Sequence, residues 1–179
     1  MSRRDLLLVE LAAQISVAGA RRVAVDGVDG AGKTSFADEL ATTLGASHAR
    51  VSADDHLNPP DVRHARGRDD PMGFWLDSYD HQSLREAVSS ATPCVVDGMF
   101  LHRDELLDQW DFSIWLDVPF AVSVGRMAER DGSSPNPDDP SLRRYVQGQR
   151  LYFEACEPWR RATLVVENSD LESPVLVEV

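Results

Sequence analysis

The stretch "GVDGAGKT", Gly27 to Thr34, sets three glycines, a lysine and a hydroxyl residue in the pattern G-x-x-x-x-G-K-[ST]. Glycines at these positions let a chain wrap with its N–H groups inward, and a helix that starts at the lysine adds unpaired amides and the positive end of its dipole. Such a nest holds a polyphosphate largely by backbone, with Lys33 reaching the outer phosphates and the Thr34 hydroxyl placed on magnesium. Gly27, Asp29, Gly30, Ala31, Gly32, Lys33, Thr34 and Ser35 are therefore the candidate ATP-binding set, and Mg²⁺ is the expected companion ion. Asp29 faces either an acceptor or solvent. Such a loop identifies a phosphate donor, not a reaction. A GTPase would also carry a guanine-reading N-K-x-D, which is absent, and a ring-forming ATPase subunit would be longer, with a sensor region.

Carboxylates that could serve a transfer reaction follow two apolar segments. Asp54 in "VSADDHL" is placed to orient an acceptor hydroxyl and take its proton, with Asp55 as its competitor because neighbouring residues point to different sides. Asp97 in "CVVDG" should emerge at the ligand edge of a sheet, either binding magnesium through water or bonding to the phosphate loop. Arg126 and Arg130 lie one turn apart on one predicted helix, where they would clamp the transferred phosphoryl group or serve as a solvated face. The loop "RHARGRDDP" offers Arg63, Arg66 and Arg68 to an acceptor if it closes, Arg66 being the candidate substrate contact. Tyr145, Tyr152 and Phe153 and the four tryptophans read as packing residues. The five histidines are scattered, and neither Cys94 nor Cys156 has a metal-ligand neighbour.

Elements must bring these groups together. Helical spacing predicts a first helix over 6–15 that ends before Gly19, a helix over 34–44, and further helices near 80–90, 102–110, 120–130 and 142–157, the last capped by Ser141. Buried strands are expected at "RRVAVDG", "HARVSA", "PCVVDGMF", "DFSIWLDVP" and "ATLVVEN". Residues 54–77 read as loop with at most a turn of helix. Alternating strands and helices, with strand runs too apolar for a half-exposed sheet, predict an α/β fold: a doubly wound parallel sheet of about five strands in three layers, typical of phosphate-loop NTPases. One domain over 1–179 is expected, with a lid-like segment near 126–150.

Four segments in order resemble the uridine kinase and phosphoribulokinase family of phosphate-loop kinases: "VSADDHL", "SYDH", "CVVDGMFL" and "WLDVPFAVSVGRMAERD". The resemblance covers about 23–168. It implies that Asp54 is the catalytic aspartate, Asp80 contacts ribose hydroxyls, Asp97 lies near magnesium, and Asn168 approaches adenine; His81, beside Asp80, would border the acceptor. The hairpin by which such kinases recognise a pyrimidine has no counterpart here, since only "QSLREAVSSATP" separates His81 from Cys94.

The expected activity is thus transfer of the γ-phosphate of ATP to a primary hydroxyl of a nucleoside or similar small alcohol. A second reading is a thymidylate-kinase-like nucleoside monophosphate kinase, which "DGAGKT" resembles but which lacks a D-R-[YH] segment. A third is a regulatory module that binds ATP without transfer. A net charge of −12 argues against nucleic acid as a partner. No apolar run approaches the ~20 residues of a membrane span, and a cytoplasmic setting is expected. Self-association is left open.

Overall fold

The computed structural model describes residues 1–177. Its strands are β1 (Arg22–Gly27), β2 (Ala49–Ser52), β3 (Cys94–Gly98), β4 (Phe112–Asp117), β5 (Leu164–Glu167) and β6 (Val175–Val177). They form one sheet in the order β2-β3-β1-β4-β5-β6, in which the first five are parallel and β6 runs antiparallel to β5. The sixth strand goes beyond the five expected; three residues are too few to show an alternation. Along β1, β3 and β4 residues of both parities are buried, Val23, Ala24 and Val25 among them, so both faces are covered, as a doubly wound parallel sheet requires.

Among the described residues eight α-helices accompany the sheet: α1 (Arg3–Ala18), α2 (Lys33–Leu44), α3 (Pro60–Arg63), α4 (Pro71–Asp77), α5 (His81–Ala91), α6 (Phe120–Asp131), α7 (Arg143–Cys156) and α8 (Pro158–Arg161). A capping box between Ser2 and Asp5 opens α1, which buries Leu7, Leu8, Leu11 and Ile15 and packs on α2. Among the described residues no helix is long and apolar enough to cross a membrane.

Three local expectations are corrected. Residues 54–77 are more ordered than a loop: a 3₁₀ turn spans Ala53–His56, and prolines at the first turns of α3 and α4 preset helical φ. The stretch 102–110 holds only a 3₁₀ turn, Leu107–Gln109. The amides of Leu101, just before it, and of His102 instead donate to buried Asp26 at 2.9 and 3.2 Å, which draws the chain back over the end of β1. Ser141 does not cap α7, whose N-cap Leu142 makes no side-chain cap bond; Asp139 caps the 3₁₀ turn Pro140–Leu142 that leads into it, its carboxylate accepting from both the Ser141 amide and hydroxyl.

The segment between α3 and α4 is tied to α7 by one buried side chain. Arg144 donates to the carbonyls of Arg63, Gly67, Arg68 and Asp70 at 2.9–3.3 Å. Replacing it leaves these acceptors, on two half-buried and two exposed residues, without their shared donor. Arg144→Ala is expected to lower unfolding stability by about 1–3 kcal/mol in urea titration. A loss under about 1 kcal/mol would mean that water replaces the guanidinium without cost.

Candidate active site

Parallel strands leave a crevice beyond their carboxyl ends where the strand order reverses, here at β1. The chain leaves β1 at Gly27 and turns through Gly30 and Gly32, whose φ values of +77° and +88° lie in the left-handed region. Gly32 is the N-cap of α2 and supplies no side-chain cap, so the first-turn amides keep no protein acceptor of that kind. The loop carbonyls are claimed from outside: Arg126 donates to Gly30 and the Asn168 amide to Ala31, at 3.3 and 2.8 Å. The Asp29 amide donates to Gln149 Oε1 at 2.8 Å.

Lys33 Nζ donates to one group, the Val28 carbonyl at 2.8 Å. Burial lowers its pKa, against the opposing field of Asp29, Asp26, Asp54 and Asp97. A partly desolvated ammonium with a single neutral acceptor suits a polyphosphate. Thr34 Oγ1 donates to Asp97 Oδ2 at 2.7 Å, and Arg50 Nη2 donates to the other oxygen at 2.8 Å. No Cβ fits at Gly98, because it would meet Ala53 at 2.5 Å; its absence lets the 3₁₀ turn bearing Asp54 settle on the end of β3 beside Asp97.

Two cavities result. One, of about 220 Å³, is lined by Asp29, Gly30, Gly32, Lys33, Thr34, Ser35, Asp54, Asp97, Met99 and Arg130. The other, of about 290 Å³, shares Asp29, Asp54 and Met99 with it and continues to Arg63, His64, Phe74, Tyr79, Arg144 and Tyr145. Asp54 stands on the shared wall and Asp55 on neither cavity. Tyr79, buried behind it, donates its hydroxyl to Asp54 Oδ1 at 2.8 Å and accepts from the Met99 amide at 3.4 Å. Burial first, and then Asp54, push the Tyr79 pKa well above its ordinary value, so the phenol remains a donor. Burial and the nearby Arg144, Arg63 and Arg68 lower the pKa of His64.

Other expected site residues are placed elsewhere. Asp80 caps α5, its carboxylate accepting from the Ser83 amide at 3.0 Å, and neither it nor His81 lines either cavity. Arg66 pairs with Asp77 at 2.8 Å outside the cavities, and it is Arg63 that lines the second one. Arg126 is occupied by the carbonyls of Gly30, Asn168 and Ser169, which makes it a brace for the loop; Arg130 alone of that pair borders the first cavity. Asn168 is fully buried against the loop through Ala31. Gly27 lies against the Leu116 carbonyl and Ala31 is buried, so both shape the loop by packing. Tyr145, expected in the core, is half-exposed at the second cavity.

Sequence reasoning missed Arg50 and the hydroxyl of Tyr79; Arg144, which "RRYVQGQRLYF" offered with Arg143 as a lid residue, instead holds the carbonyls of the segment before α4. Arg50 is one charge in a short strand and carries no motif, whereas an aromatic beside Asp80 was visible in "SYDH".

Among the described residues no group of three or more His, Cys, Asp or Glu side chains could hold a metal. The donors present are the Thr34 hydroxyl and the Asp97 carboxylate, oxygen groups that suit magnesium arriving with phosphate oxygens and waters of its own.

A phosphate loop opening α2, a parallel sheet in this order and two adjoining cavities define a P-loop small-molecule kinase. Residues 23–151 match the model of the AAA domain family AAA_18, and the chain belongs to that family. Among curated proteins it is 27% identical over 148 residues to a cytidylate kinase of Haloquadratum walsbyi, covering 73% of this chain and 69% of that one. It is 30% identical over 119 residues to a cytidylate kinase of Natronomonas pharaonis, covering 63% and 59%. Among solved structures, a possible uridine kinase from Bacillus stearothermophilus superposes with a TM-score of 0.70 at 22% identity, over 90% of this chain and 96% of that one; this likeness is one of fold. Both sequence relatives bear the name of a nucleoside monophosphate kinase, the second of the activities expected from the sequence.

Proposed function

We propose that the protein transfers the γ-phosphoryl group of ATP to a nucleoside monophosphate, with cytidylate the first candidate. The observation that carries this is the pair of cavities meeting at one wall, a donor site beside an acceptor site of about 290 Å³, in a chain whose sequence relatives are named cytidylate kinases. Bound magnesium would neutralise charge on the phosphates; Thr34 and Asp97 are the residues to hold it, directly or through water. Lys33 and the α2 amides grip the donor phosphates, Arg130 faces the transferred group, and Arg63, Phe74 and Tyr145 enclose the acceptor.

One observation favours a second reading, an acceptor hydroxyl as in a nucleoside. Asp29 and Asp54 both stand where an acceptor phosphate would approach, and like charges about 4 Å apart near a protein surface repel by about 4 kcal/mol. A phosphate oxygen needs no base at neutral pH; a hydroxyl does. The test is ADP release with CMP, UMP, cytidine and uridine as acceptors. CMP or UMP should give the highest kcat/KM, by about tenfold or more over either nucleoside. Turnover of the nucleosides alone would install the second reading, and release with none of the four would remove both.

A further inference from the structure

Arg50 makes a closed ring with the groups that would meet the metal. From β2 its Nη2 donates to Asp97 Oδ1 at 2.8 Å, Nη1 to the Val95 and Val51 carbonyls at 2.6 and 3.3 Å, and Nε to Asp38 Oδ1 at 2.8 Å. Asp38 lies on α2 one turn beyond Thr34, whose hydroxyl holds the other Asp97 oxygen at 2.7 Å. The ring thus runs from Thr34 through Asp97 and Arg50 to Asp38 and back along α2.

The two oxygens of Asp97 are held by unequal partners. A threonine hydroxyl is donor and acceptor at once and can rotate to offer a lone pair to an incoming cation, which frees Oδ2. The guanidinium cannot do this. Its planar fork has only donors, and three of its nitrogens are fixed by acceptors on β2, β3 and α2. Arg50 therefore keeps Oδ1 and leaves a positive charge beside the carboxylate, whose side chain is 3% exposed.

We propose that Arg50 is a positioning residue that keeps Asp97 from ligating a divalent cation by itself, so that the cation enters only with the phosphates of the nucleotide. Without the guanidinium, Asp97 would turn both oxygens to a cation, with Asp38, Asp54 and Asp29 adding negative field. With it, the carboxylate offers one oxygen to the cation or to its water. The consequence is a site that binds the magnesium nucleotide as a unit and holds little free metal. This rests on the placement of the metal at Thr34 and Asp97, and is independent of the acceptor.

The test is Mn²⁺ binding to the nucleotide-free chain, read by calorimetry and by the loss of the free-ion electron paramagnetic resonance signal. Arg50→Met should bind Mn²⁺ about tenfold or more tightly than the parent, and the gain should vanish in the double variant with Asp97→Asn. Arg50→Lys, which keeps a charge but loses the fork, should show a smaller gain of about threefold and serves if the methionine variant does not fold. Equal affinities in the parent and both Arg50 variants, or a gain that survives Asp97→Asn, would overturn the proposal. Failure of the parent to bind magnesium ATP would instead strike the metal and nucleotide reading itself.

Discussion

Lys33→Ala is expected to lower kcat with any acceptor by about a thousandfold while leaving the chain folded. The ammonium packs into no apolar cluster and has one acceptor, the Val28 carbonyl, so its loss opens little structure. What is lost is the only lysine of the phosphate cavity, set among carboxylates that would otherwise repel the donor. A second readout separates this role from a general weakening. The pKa of Lys33 is lowered by burial, and bound phosphates must raise it, so nucleotide binding takes up protons where the free ammonium has begun to titrate. Calorimetry at alkaline pH in two buffers of different ionisation enthalpy should detect this uptake in the parent and not in the variant. More than about a tenth of parent activity in Lys33→Ala would show that the backbone amides suffice and that the lysine has another task.

Asp54→Asn is the second large effect, and its size depends on what receives the phosphoryl group. Tyr79 holds one oxygen of Asp54 at 2.8 Å, leaving the other for the shared wall of the two cavities. If the acceptor is a hydroxyl, that oxygen orients it and takes its proton, and the amide should reduce kcat by about 10²–10⁴-fold with ATP affinity retained. If the acceptor is a phosphate, no proton need be taken, and removing a negative charge should change kcat by less than about fivefold and lower the KM of the monophosphate. Steady-state kinetics on the acceptor that responds in the ADP-release screen therefore assigns Asp54 its role. A large loss with CMP would contradict both branches, and would make Asp54 an orienting group for the nucleotide sugar.

The contrast between residues that the sequence placed well and those it misplaced has a physical pattern. The phosphate loop was legible because its function is local: glycine conformation and the start of one helix are written in consecutive residues. The choice of Asp54 over Asp55 was not, since one residue of offset in a 3₁₀ turn decides which carboxylate meets the cleft. Asp80 and His81 followed a motif resemblance, yet Asp80 sits where α5 begins, and an aspartate at that position is drawn to the open amide of Ser83. Arg126 and Arg130 share a helix face, but only one of them meets the outward carbonyls of the loop, which claim its donors.

From the sequence alone come the α/β class, the identity of the donor loop, and the strand-end positions of Asp54 and Asp97, because strand runs, helix periodicity and glycine-rich turns are properties of short stretches of chain. The tertiary structure decided the rest: the pairing of Asp97 with Arg50, the bond from Tyr79 to Asp54, the hold of Arg144 on the segment before α4, and the cavity that any acceptor must enter. Each of these joins residues remote in the chain, and only the strand order and the desolvation of the groups between layers determine which buried donor finds which acceptor.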